Sequence, residues 1–294
     1  MTETLPPLKR PVRHRIEAGA AHVLFAMLSL LPSKTVSDVG GWLGRTIGPL
    51  TSAHRTAKQN LRRALPTMDA TTQAQTLNSA WDNLGRTMTE YAVLARMYVA
   101  PDDIELAGHE ALAALAQSGK PAILFGAHLG NWETVPLILA LRSKPLVIVY
   151  RAANNPLADN IIKNIRGAYT AGMAPKGSSG ARQVMRALSA GEHIFMVVDQ
   201  KSNTGMEIPF FGKGAYTATA VVRMAARFGC PVFPIRTERI DGFKFKVTVE
   251  DPFMFLDESD DGVRAGLTRI NQQLEGWIKE RPGQWLWMHK RWPK

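Results

Sequence analysis

The pattern of apolar and polar positions changes character once along the chain. Up to about residue 96 the apolar positions recur at helical spacing, and from residue 121 onward they gather into short continuous runs. Near the N terminus "IEAGAAHVLFAMLSLLP" is apolar from Ala18 to Leu31 apart from His22 and Ser29, and a second apolar, glycine-rich stretch follows in "VGGWLGRTIGPL". As a helix, Ala18 to Leu31 would measure about 21 Å, short of a hydrocarbon core of roughly 30 Å. The pair of stretches therefore reads as a buried helical hairpin or as helices that lie in a membrane surface. "RTAKQNLRRALP" closes at Pro66, and "TTQAQTLNSAWDNLGRTMTEYAVLARM" resumes the 3.6-residue period.

From residue 121 the runs "PAILFGA", "PLVIVY", "HIFMVVD", "PVFPIRTE" and "KFKVTVED" have the length and composition of strands. Amphipathic segments separate them: "NWETVPLILALRS", "PLADNIIKNIRGAYTAG", "SGARQVMRALSAG" and "AYTATAVVRMAARFG". Continuous apolar strands alternating with helices predict an α/β fold, a mostly parallel central sheet flanked by helices on both faces. A last helix, "VRAGLTRINQQLEGWIKERP", precedes a tryptophan-rich tail. The expected organisation is a basic N terminus with membrane-associating helices (1–50), a helical accessory layer (51–100) and an α/β domain (101–294).

Composition narrows the partners. The 36 Lys and Arg against 25 Asp and Glu leave +11 over 294 residues, which favours a polyanionic partner: nucleic acid, an anionic membrane or an acidic protein. The single cysteine, Cys230 in "RFGCPVFPI", excludes an intramolecular disulfide and a cysteine-based metal cluster, and its apolar setting suits packing. A basic-then-apolar N terminus also has the order of a signal peptide, but "PSKTVSDVGG" offers no small-residue cleavage site. The tail "RPGQWLWMHKRWPK" mixes tryptophan with base and has no acid, as a segment seated at a membrane interface would; a core-packed terminal strand and a nucleic-acid surface are the other readings, and the chain carries no recognised nucleic-acid-binding motif.

In an open α/β sheet, ligands bind where strands end and loops enter helices. His128 and Asp199 both follow apolar strands, after "AILFGA" and "HIFMVV", and Gly126 and Gly130 flank the histidine. Glu133 falls near the start of the next helix, where a carboxylate suits the positive end of the dipole. Positions i and i+5 of one helix diverge by about 140°, so His128 and Glu133 meet only if the turn folds the histidine back. If they meet, the carboxylate can hold one ring nitrogen protonated and leave the other to accept a proton from a hydroxyl. Otherwise His128 is a turn residue and Glu133 a first-turn charge. The spacing is not that of H-E-x-x-H, so no metal is expected, and no cofactor motif is present. "KGSSGAR" lacks the P-loop's glycine-lysine pair, though it could bind phosphate at a helix N terminus.

Taken together, "GAHLGNWE", "NLRRALP", "WDNLGRTMTEY", "VYRAANNPLADNIIKNIR", "PKGSSGARQVMRAL", "DQKSNTGMEIPFFGKGAYTATA" and "WLWMHKRW" resemble, in order and over nearly the whole chain, the late acyltransferases of lipid A biosynthesis within the lysophospholipid acyltransferase superfamily. The resemblance implies a glycerol-3-phosphate acyltransferase-like fold with a membrane-associating N terminus at the cytoplasmic face of a bacterial inner membrane. It implies transfer of a fatty acyl group from acyl carrier protein, or coenzyme A, to a hydroxyl of a phosphorylated glycolipid without an acyl-enzyme. His128 would be the general base, Glu133 its orienting partner, and Arg151 a contact for substrate anion or developing oxyanion charge. Asn131, Asp199, Gln200, Phe211 and Thr217 would shape or line the substrate site. Family members commonly carry proline after the arginine and an acid after the aspartate-glutamine pair; here those positions hold Ala152 and Lys201, which bears on substrate identity. Other acceptors, another glycolipid or membrane lipid, and a non-catalytic basic binding module are the competing readings.

Overall fold

The computed structural model describes residues 11–142 and 145–293, so the first basic residues of the N terminus lie outside the described part. Helices come first: α1 (Pro11–Leu28), α2 (Ser33–Ile47), α3 (Ser52–Ala64), α4 (Ala70–Glu90) and α5 (Leu94–Val99). Asp69 starts α4 by accepting the Thr72 backbone N–H at 3.0 Å, satisfying one of the free donors of the first turn. Beyond these the chain alternates: β1 (Ile104–Ala107), α6 (Glu110–Gln117), β2 (Ala122–Gly126), α7 (Thr134–Arg142), β3 (Leu146–Tyr150), α8 (Pro156–Arg166), β4 (Thr170–Pro175), α9 (Ser178–Ser189) and β5 (His193–Val197). A hairpin, β6 (Met206–Phe210) and β7 (Lys213–Thr217), interrupts the series before α10 (Ala220–Phe228), β8 (Val232–Asp241), β9 (Lys244–Val249) and α11 (Asp260–Glu280).

Seven strands form the main sheet in the order β1-β9-β8-β2-β5-β3-β4. The five from β8 to β4 are mutually parallel, while β9 runs antiparallel to β8 and carries β1 parallel to itself at the edge. The sheet is thus mostly parallel, as the apolar runs predict, with a reversed edge that the pattern does not show. Alternation along the strands divides the core into two layers. Ile123 and Phe125 of β2 and Ile194 and Met196 of β5 face one cluster, which holds Val184 and Leu188 of α9, Val221 of α10 and Leu267 of α11. Leu124 and Phe195 face the other, with Leu28 of α1, Val36 of α2, Leu112 of α6 and Ile138 of α7. Both faces are covered, so the central strand β2 is apolar throughout and every one of its residues is buried.

The tail corrects one expectation. Trp285, Trp287 and Trp292 are buried in the first cluster, and the indole N–H groups find acceptors in Asp199, in the Pro282 carbonyl and in the Phe210 carbonyl. Tryptophan beside base here marks a core seam whose rings bury apolar area and whose N–H groups are each paired, not a membrane-seated segment. Among the described residues, no helix is long and apolar enough to cross a membrane.

Candidate active site

Two adjacent parallel strands place the chemistry. β2 and β5 run side by side, pairing Gly126 with Val197, so the residues just after each strand emerge at the same edge of the sheet. After β2 the chain turns through residues 127–133. Gly130 adopts φ 55°, and a side chain there would bring its Cβ within 2.7 Å of the Thr237 carbonyl oxygen, so the turn requires glycine. The tail straps this turn: the Leu286 N–H donates to the His128 carbonyl at 3.0 Å, and the Gly130 N–H to the Gln284 carbonyl at 3.2 Å.

The turn aims His128 at Asp199. Oδ1 of Asp199 lies 2.7 Å from His128 Nδ1, while Oδ2 accepts the His128 backbone N–H at 2.8 Å and the Trp285 indole N–H at 2.7 Å. Burial alone would raise the Asp199 pKa, but attraction to His128, the hydrogen bonds it accepts and attraction to His289 hold the carboxyl well below the usual range. A carboxylate only accepts, so Nδ1 must donate and Nε2 of the neutral ring is left as an acceptor. Gln200 places its Nε2 3.4 Å from that atom, and the Trp132 ring stands edge-on to the imidazole at 4.9 Å. His289 closes the back of the site, with Nδ1 2.7 Å from the Leu286 carbonyl and Nε2 3.2 Å from that of Asp199.

Glu133 does not orient His128. It sits just ahead of α7, is 2 % exposed, and turns its carboxylate the other way, to Arg166 at 2.5 and 2.9 Å, the Tyr91 hydroxyl at 2.7 Å and the Tyr169 hydroxyl at 3.3 Å. The reason is the turn itself: Asn131 accepts the Glu133 backbone N–H at 3.0 Å and leads the chain into α7 with Glu133 facing Arg166 at the end of α8, while His128, five residues back in the non-helical turn, stays over the end of β5. Burial opposes its ionisation, yet the Arg166 guanidinium and the three donors hold the Glu133 pKa below its ordinary value. Burial, and after it the same carboxylate, push the Tyr91 and Tyr169 hydroxyls up.

Two cavities meet at this edge. The smaller, about 270 Å³, is lined by His128, Trp132, Glu133, Tyr150, Ile162 and Arg166 among others. The larger, about 780 Å³, lies between α9, α10 and β5, where Val184, Met196, Val221 and Met224 form its apolar wall and Ser202, Asn203 and Thr204 its rim. Val149, Arg151, Lys176, Val197 and Gln200 line both, so the cavities share one wall beside His128. Arg151 and Lys176 make that wall cationic, and partial burial with the Arg151 charge lowers the Lys176 pKa against the pull of Asp199.

Residues 6–294 match the family model described as bacterial lipid A biosynthesis acyltransferase. The chain belongs to this family. It is 23% identical to a lipid A biosynthesis myristoyltransferase of Escherichia coli (strain K12), an alignment covering 98% of this chain and 91% of that protein. It is 22% identical to a lipid A biosynthesis palmitoleoyltransferase of the same organism, over 89% of this chain and 86% of the relative.

In this acyltransferase the residues singled out from sequence separate into two groups. His128, Arg151, Asp199, Gln200 and Glu133 come together at or behind the walls of the smaller cavity. Asn131, Phe211 and Thr217 line neither cavity. Asn131 is buried beneath the turn, donating to Glu90 at 2.7 Å and accepting the Glu133 backbone N–H at 3.0 Å. Phe211 occupies the turn of the β6–β7 hairpin at φ 51°, with its N–H on Glu275 at 2.7 Å. Thr217 accepts from the buried Arg291 at 2.9 Å. Trp285, Tyr91, Arg166, Lys176 and His289 join the site without standing out in the sequence. All five stand inside the blocks that carry the resemblance, Lys176 in "PKGSSGARQVMRAL" and Trp285 and His289 in "WLWMHKRW" among them, but only the fold brings the tail to Asp199.

Proposed function

We propose that the protein transfers a fatty acyl group from an acyl-carrier-protein or coenzyme A thioester to a hydroxyl of a phosphorylated lipid A precursor, at the cytoplasmic face of a bacterial inner membrane. The observation that carries this reading is the held imidazole: Asp199 fixes Nδ1 as donor, so Nε2 faces the shared cavity wall as a base. The acceptor hydroxyl gives its proton to His128 Nε2 as its oxygen bonds to the thioester carbonyl carbon. The carbon–sulfur bond then breaks, and the thiolate leaves with the proton from the imidazolium. Arg151 and Lys176 stand where charge develops on the carbonyl oxygen or where a substrate phosphate is held. Asp199 takes the orienting role, and Glu133 anchors α8 as the wall of the smaller cavity.

Transfer is direct in this reading. Cys230, the sole thiol, is buried, lines neither cavity, and burial pushes its pKa up to about 11, which disfavours the thiolate that an acyl-enzyme would need. Membrane association rests on apolar side chains that α1 and α2 leave uncovered, among them Ile16, Val23, Met27 and Trp42.

The test is transfer by purified full-length protein from acyl carrier protein thioester to a lipid A precursor, with the acylated product and free fatty acid both quantified. His128→Ala is expected to lower turnover by about 10²- to 10⁴-fold with melting behaviour retained. Wild-type rates in that variant would sink the mechanism, and release of free fatty acid without acylated product would sink the transfer.

A further inference from the structure

The helix α9 separates the two kinds of surface that a protein-borne thioester requires. Its inner side, at Gly180, Ala181 and Val184, forms part of the wall of the larger cavity. Its outer side presents Arg182 and Arg186, one turn apart and both exposed, flanking Met185 along a groove of about 490 Å³ that Ser189 and Ala190 complete. The helix contains no acidic residue, and neither arginine has a carboxylate within ion-pair distance among the described residues, although Glu192 lines the adjoining groove with Arg186. Several other surface arginines are answered: Arg13 by Glu17, Arg223 by Asp260, Arg236 by Glu280 and Arg281 by Glu238. From Ser178, at the carboxyl edge of the sheet beside the cavity mouth, Arg182 and Arg186 lie about 6 and 12 Å along the axis.

We infer that this face of α9 docks the acyl carrier protein itself, its two arginines receiving an acidic helix of the carrier while the acyl-bearing arm threads past Gly180 and Ala181 into the larger cavity. The inference rests on the reading that the donor is a carrier-bound thioester. Charge complementarity chooses a polyanionic occupant, and the fold chooses a soluble one. Val184 and Leu188 of α9 pack on the face of the sheet marked by Ile123 and Phe125, whereas Leu28 of α1 packs with the opposite face, marked by Leu124. The apolar side chains exposed on α1 and the arginines of α9 therefore belong to opposite sides of the sheet, so a membrane held by α1 leaves α9 open to the aqueous side. The cavity that the arm enters reaches the wall of Arg151, Lys176 and Gln200, which brings the thioester to His128 from the side of α9.

The experiment compares full-length wild type with Arg182→Glu/Arg186→Glu, and with Arg55→Glu/Lys58→Glu, which reverses another exposed basic face on α3. Binding of acyl carrier protein, followed by fluorescence anisotropy, needs no turnover and so decides docking independently of the proposed reaction. Reversal on α9 is expected to weaken binding and raise KM for the carrier thioester about tenfold or more, to flatten the dependence on salt, and to leave kcat and melting temperature unchanged. The same acyl group presented on coenzyme A, which has no protein surface, is expected to show the same KM with both proteins. Unchanged carrier binding, an equal rise in KM for the coenzyme A thioester, or loss confined to sedimentation with phosphatidylglycerol–phosphatidylethanolamine vesicles would each overturn the docking surface. An equal effect from the α3 reversal would overturn it too. Wild type that binds the carrier but transfers from neither donor would instead remove the proposed reaction and leave the docking face standing.

Discussion

Asp199 does three things with two oxygens: it fixes the ring of His128, ties down that residue's backbone and accepts the indole of the tail. Asn in its place can keep the shape and reverse the chemistry. The asparagine oxygen takes the Oδ2 position, where it accepts both N–H groups, and its NH₂ then faces Nδ1 as a donor. Nδ1 must become the acceptor, Nε2 carries the proton, and the proposed base is lost although every hydrogen bond to residue 199 survives. Asp199→Asn is therefore expected to lower kcat by about 10²- to 10⁴-fold with little change in KM, measured by steady-state transfer. The carboxyl also sets a stability slope. Its folded pKa lies below its unfolded one, so its contribution is present above about pH 4 and is lost as pH falls toward the folded value. Urea midpoints between pH 5 and pH 2.5 are expected to fall more steeply for wild type than for Asp199→Asn. Identical slopes would mean that another group carries the acid sensitivity.

Between elements, the pair Glu133–Arg166 joins the start of α7 to the last residue of α8, and Tyr91 and Tyr169 complete its hydrogen bonds. Removing one partner strands the other charge out of water, so Arg166→Met is expected to cost about 3–5 kcal/mol in urea unfolding. Glu133→Gln/Arg166→Met, which leaves no unpaired charge at this junction, is expected to recover most of that loss, and a double variant as unstable as the single would show that packing, not charge, holds the junction. This pair also marks the limit of what the sequence discloses. Four of the five strands read from apolar runs, and the position of His128 and Asp199 at strand ends, are legible because burial on both faces of a parallel sheet writes itself as apolar runs, while β9 is legible from the alternation of "KFKVTV". β1 and β4 escape that signal: both are edge strands, and "TAGMAP" exposes Ala171 and carries a glycine. The β6–β7 hairpin, read as part of a site wall, escapes because Phe210 is buried against the tail at Trp292, some 80 residues ahead. The partner of His128 is hidden for the same reason. A carboxylate five residues away is visible in the chain, whereas one 71 residues away is chosen by the pairing of β2 with β5.

Across the whole molecule, charge and apolar exposure serve different contacts. In the proposed reading the net +11 acts at a distance, raising the rate of encounter with an anionic bilayer or an acidic carrier, and it is screened by salt. The uncovered Ile16, Val23, Met27 and Trp42 act only in contact, through apolar area removed from water, and salt does not weaken that term. A protein held by both should respond in two stages. Binding to phosphatidylglycerol-containing vesicles is expected to weaken between about 0.05 and 0.5 M salt and then to reach a plateau above zero, because the Debye length falls below 5 Å while the apolar contact persists. Val23→Glu/Met27→Glu places two acids on the apolar face of α1 without touching the catalytic edge of the sheet. That variant is expected to lose the salt-resistant plateau and to acylate detergent-dispersed acceptor at the wild-type rate, with acceptor in vesicles used far more slowly. Cosedimentation read beside the two transfer assays decides the matter: a plateau that survives the two acids would place the membrane contact elsewhere on the molecule, and equal slowing with both forms of acceptor would mean that α1 supports the site and not the encounter with lipid.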